Sequence, residues 1–172
     1  MDFKAFTDDL FKATKDGWIK DISAGEGFLP DIEQQMDWTE KHMELVGSSM
    51  AYGVFDGSSK IAAGICELII TKPEPKKAWV KFIRLRLRPK IESQLFSNGG
   101  TGIDAAIQAY VTCVLGVFHV KNAHNASTIK VYGRTSEQVR FLKLMDSALK
   151  ERSEATFKSS IEGRWLVLKW SK

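Results

Sequence analysis

A chain of 172 residues with 44% hydrophobic and 27% charged residues is long enough for one domain with a substantial core, too short for two full ones, and unlike a disordered chain. The formal net charge of +4 permits an anionic ligand or partner without demanding nucleic acid. Two cysteines, Cys66 and Cys113, stand far apart in apolar segments; they indicate neither a zinc site nor a disulfide framework and read as small buried hydrophobes.

The N-terminus mixes acids with aromatics and has no basic stretch followed by an apolar core, so no secretory signal is expected. From Asp2 to Ile22 the apolar residues Phe3, Phe6, Leu10, Phe11, Trp18 and Ile22 recur at helical spacings, which predicts one amphipathic helix. After a turn over Ala24–Pro30, Asp31 caps a second helix running to about Val46. Met50 to Phe55 and Ile61 to Thr71, joined through Asp56-Gly57, read as a hairpin. A stiff, exposed linker from Lys72 to Lys77 leads to a third strand, Ala78 to Arg88.

Period-two alternation puts Ile83, Leu85 and Leu87 on one face of that strand and Phe82, Arg84, Arg86 and Arg88 on the other. At a sheet edge the arginines are a solvated side. In a central strand they require carboxylate or phosphate partners, and mark an anion site or an interface. A loop from Pro89 ends in Ser97-Asn98-Gly99-Gly100-Thr101-Gly102. It is either a flexible connection or a phosphate cradle, since a helix N-terminus attracts anions and glycines let them approach the backbone.

The helix from Gly102 to about Val120 is expected to bury most of its circumference, leaving Asp104, Gln108 and Thr112 as a narrow polar stripe. Its apolar run, Ala105 to Val120, falls short of the roughly 20 residues of a membrane span, so no transmembrane helix is expected. His119 and His124 lack a metal-ligand arrangement. Thr128 to Arg134 reads as a strand, and Thr135-Ser136-Glu137-Gln138 as a capping box opening a helix to about Lys150. Thr156–Ser160 and Arg164–Trp170 are closing strands.

This order resembles the Gcn5-related N-acetyltransferase (GNAT) superfamily over roughly residues 3 to 170. In sequence the resemblance is confined to the hexamer Ser97–Gly102, whose Gly100 and Gly102 match the glycines of the family's phosphate-binding motif while Ser97 replaces its leading Gln or Arg. The resemblance implies a single α/β (α+β) domain, a mixed, mostly antiparallel sheet flanked by helices on both faces. It implies acetyl-CoA (or CoA) as cofactor, with Asn98, Gly99, Gly100, Thr101 and Gly102 around the pyrophosphate and the main chain of Leu85 and Leu87 along the pantetheine. The implied reaction is acetyl transfer to an amine of a small molecule or protein.

The family's base on the central strands has no carboxylate to match it in Ala78–Arg88, and Glu67 on the preceding strand is the substitute. The tyrosine acid of the family's fourth helix is absent; Tyr52 and Tyr132 are remote candidates. The sequence also resembles GNAT-like proteins of bacteriophages, which implies the alternative of a catalytically silent protein that binds a host protein in the host cytoplasm. A third reading, nucleic-acid binding through Arg84, Arg86 and Arg88, ranks below both. A cytoplasmic location is expected, with no membrane partner.

Overall fold

The computed structural model describes residues 1–26, 29–74, 77–96, 102–151 and 156–170. Among them are seven strands in one sheet of order β1-β2-β3-β4-β5-β7-β6 and five helices, the mixed, mostly antiparallel α/β class expected. The chain divides into two compact units, Met1–Glu67 with Leu85–Cys113, and Leu68–Arg84 with Val114–Lys172.

In the first unit the expected opening helix is instead two elements. Asp2–Ala5 is β1, antiparallel to β2 (Ser49–Phe55) from Asp2↔Phe55 to Ala5↔Tyr52, and α1 runs from Asp8 to Ser23. The Thr7 hydroxyl accepts from the Leu10 amide at 3.4 Å, with Asp8 and Asp9 in the first turn. That capping signal overrides the apolar spacing that ran through it. Phe3 stacks on Tyr52 at 4.6 Å across the strands.

Helix α2 spans Leu29–Lys41 and stops short of Val46. The His42 amide turns back to the Thr39 carbonyl at 3.0 Å, and the His42 carbonyl then accepts from Ala51 at 2.8 Å, which draws the chain into β2. Both helices close on a core of Phe11, Trp18, Ile32, Met36, Phe55 and Ile65. Trp18 is fully buried, and its indole N–H donates to the Ala62 carbonyl at 2.9 Å.

Strands β3 (Ala62–Glu74) and β4 (Lys77–Leu87) extend into the stretch read as a linker. The expected loop after β4 is a helix, α3 (Pro89–Phe96). Proline fits a first helical position, and the Asp21 carboxylate accepts from the Lys90 amide at 3.4 Å. Next comes α4, Ile103–Ala123. It does not bury most of its circumference: Ala109, Cys113, Val117 and Val120 are buried, but Ile103, Ile107, Val111 and Leu115 form an exposed row beside the polar stripe. By length and composition α4 could cross a membrane, a test that core helices of this length also pass.

In the second unit β4 runs parallel to β5 (Ala126–Tyr132), from Trp79↔Thr128 to Phe82↔Val131. Strand β7 (Trp165–Trp170) is antiparallel to β5 and to β6 (Phe157–Glu162). Helix α5 (Ser136–Glu151) opens on the expected box: Thr135 Oγ1 accepts from the Gln138 amide at 3.2 Å, and Gln138 Oε1 accepts from the Arg134 amide at 2.8 Å.

Candidate functional site

The parallel ladder ends at Phe82↔Val131, yet β4 continues to Leu87. Leu85 in this extension lies over Gly64 of β3, where a Cβ would come within 2.7 Å of the Leu85 side chain. The strand end is fixed by charge. Arg88 donates from Nε and Nη2 to the two oxygens of the buried Asp21 carboxylate, at 2.7 and 2.8 Å. Arg86 lies 3.8 Å from Asp31 and 3.7 Å from Glu92.

β4 is the fourth of seven strands, so this is the central-strand case, and for Arg86 and Arg88 the partners are carboxylates of α1, α2 and α3. A bidentate pair of this kind is charge-assisted and geometrically specific. The same carboxylate, Asp21, thereby ties α1 to the end of β4 and to the start of α3. The Ser93 hydroxyl of α3 also donates to the Glu26 carboxylate.

Gly102 is buried where α4 begins. A Cβ there would sit 2.6 Å from the Ile91 carbonyl oxygen and 3.0 Å from the Gln94 side chain, so α3 and Gly102 are in direct contact. The Gly102 amide points at the Gln94 carbonyl at 3.5 Å, and the Ala106 amide bonds the Gly102 carbonyl at 3.0 Å. Ile103, Asp104 and Ala105 lie in the first turn, where amides have no acceptor within the helix and the dipole is positive. Ile103 and Asp104 are exposed. The predicted residues Asn98, Gly99, Gly100 and Thr101, with Ser97, lie outside the described residues.

Glu67 is half-buried on β3. Beside it in sequence, Cys66 is fully buried against Cys113 of α4, both as free thiols. Burial pushes the Cys66 thiol up, and Cys113 and Glu67 add to this. Tyr110 of α4 is pushed up to about 12 by burial, with Cys113 and Cys66 contributing. The Tyr52 phenol is also raised, first by burial and then by Cys66.

The first unit therefore gathers Tyr52, Cys66, Tyr110 and Cys113. Spacing gave no sign of this cluster, because its members come from two strands and a helix. Tyr132, the other acid candidate, belongs to the second unit and packs on Trp165 at 4.7 Å. Among the described residues no His, Cys, Asp and Glu group could hold a metal ion. A cavity of about 300 Å³ lined by Lys15, Ile19, Ile32, Glu33, Met36 and Asp37 contains none of the predicted site residues.

No family model matches the chain, and no curated protein does. Solved structures similar to it include a chain of the NatC complex bound to Gag peptide and CoA, at 14% identity over 99% of this chain and 100% of that one, TM-score 0.49. Another is an acetyltransferase of the GNAT family from Desulfovibrio desulfuricans, described as putative, at 8% identity, coverage of 96% and 94%, TM-score 0.44. A third is a chimera of the Vibrio cholerae spermidine N-acetyltransferase SpeG and hSSAT, at 15% identity, coverage of 98% and 92%, TM-score 0.46.

Proposed function

We propose that this chain is an acyl-CoA-dependent N-acyltransferase, moving an acetyl group to an amine of a small molecule or a protein. The observation that carries the reading is the continuation of β4 beyond its ladder with β5, joined through α3 and the tightly packed Gly102 to the N-terminus of α4. This arrangement suits an extended thioester cofactor with a pyrophosphate. The main chain of Leu85 and Leu87 would bond the pantetheine, and the first-turn amides of α4 would receive the phosphates. Bound acyl-CoA would supply an activated acyl group as a thioester.

Glu67 is the side chain proposed to take the proton of the amine. Tyr52, a phenol protonated at neutral pH whose pKa burial raises further, is the proton donor available in the same unit. Most of the acceleration would come from holding the amine against the acyl carbon. Asp104 already places an acid in the first turn of α4, which opposes a pyrophosphate there and sets a weak rather than a tight site.

Isothermal titration with acetyl-CoA and with CoA tests the proposal. Saturable binding of both is the expected result. No heat and no thermal shift with either ligand at millimolar concentration would overturn it.

A further inference from the structure

The second unit carries a surface that the proposed acyltransferase chemistry does not use. Along β4, β5 and β7 one set of alternate residues, Val80, Phe82, Ile129, Val131, Leu166 and Leu168, is buried. The other set is built differently. The register places Lys81 beside Lys130, Lys169 opposite both Thr128 and Lys158, and Trp165 opposite both Tyr132 and Glu162.

That face carries a connected network of charge and rings. The Lys130 ammonium lies 4.5 Å from the Trp79 ring centroid and the Lys81 ammonium 5.6 Å from it. Lys130 and Lys169 share Glu162, at 3.5 and 2.9 Å. The Lys169 hydrogen bond, with Lys130 adding, holds the Glu162 carboxyl below the usual carboxylate range. Lys158, Glu162 and Lys169 are exposed; Trp79, Lys81, Lys130, Tyr132 and Trp165 are half-buried. Two exposed and two half-buried lysines thus surround one carboxylate, with three half-buried aromatic rings set among them and Thr128 and Val167 buried beneath.

We infer that this four-stranded face of β4, β5, β7 and β6 binds single-stranded nucleic acid, its lysines taking phosphates and Trp79, Tyr132 and Trp165 offering platforms for bases. The charge excess fits a polyanion. The interleaved rings select the kind: a run of Asp and Glu carries no aromatic ring to stack on them, and a duplex keeps its bases stacked on one another. This is a different surface from the arginine row, in which Arg86 and Arg88 lie against carboxylates in the first unit.

The test is fluorescence anisotropy of the whole chain with a labelled oligo(dT) of about 20 nucleotides, in parallel with polyglutamate. The expected result is binding at low salt that weakens with a log–log salt slope of roughly −2 to −3, about −0.7 for each phosphate neutralised on a single strand. The Lys81→Gln/Lys158→Gln variant should lose about tenfold or more in affinity and flatten the slope by roughly 0.7 for each lysine. Trp79→Leu should weaken binding about fivefold or more without changing the slope, and Trp79→Phe should restore it. Thermal melts confirm that each variant is folded. Absence of oligonucleotide binding at low salt, equal binding of polyglutamate, or a folded Trp79→Leu protein with unchanged affinity would overturn the inference.

Discussion

Gly102 shows how one residue takes two meanings at different depths of description. In the sequence it is the last glycine of a loop that a phosphate could approach. In the structure the space its Cβ would need is filled by the Ile91 carbonyl, 2.6 Å away, because the preceding residues form α3 rather than a loop. Gly102→Ala should therefore lower stability by about 1–3 kcal/mol, the range for a forced overlap with backbone. Chemical denaturation reads this out without any ligand. Asp104, in the first turn of the same helix and exposed, makes the complementary case. Its carboxylate sits where a cofactor phosphate would gain from the dipole, so Asp104→Asn should tighten CoA binding about two- to fivefold, corresponding to roughly 0.3–1 kcal/mol for a charge at a helix end. Titration of both proteins with CoA measures the difference.

At the level of elements, what was legible in the sequence was what is encoded locally. The Thr135–Gln138 box, the Asp56-Gly57 hairpin and the start of α4 each depend on residues a few positions apart, and each stands near its expected place. β1 and α3 were missed for opposite reasons. Phe3 and Phe6 sit at a helical spacing although Phe3 serves a strand, and the residues after Pro89 carry a helix whose cap, Asp21, comes from a distant segment. α4 was found but its faces were misjudged, since a helix apolar on nearly every side has no period from which its buried side can be read. Two substitutions separate those sides. Ile107→Lys, at 56% exposure, should change stability by no more than about 0.5 kcal/mol. Val117→Ala, fully buried, should cost about 2 kcal/mol through lost burial and the cavity left behind. Urea midpoints of the two variants give the comparison, and similar losses would show that both faces are packed.

For the whole molecule, the arginine row of β4 turns on a property that no local pattern holds, namely strand order. Alternation identified Arg84, Arg86 and Arg88 as sharing a face; only the sheet order makes their strand central and places carboxylates of three helices near that face. The pairing of Arg88 with Asp21 spans segments remote in sequence, and it fastens α1 to the point where β4 passes into α3 and the candidate cofactor site. Arg88→Met leaves the buried Asp21 carboxylate, among the described residues, with the long 3.4 Å bond from Lys90, and should destabilise by about 3–5 kcal/mol, the cost of stranding a buried charge. Asp21→Leu combined with Arg88→Met removes both charges and should recover a substantial part of that loss, because apolar replacement of a buried pair is often close to neutral. A double-mutant cycle by chemical denaturation yields the coupling directly. If the double variant is as unstable as the sum of the two single ones, Asp21 and Arg88 act independently, and the fixed end of β4 must be held by the packing of α3 against Gly102 instead.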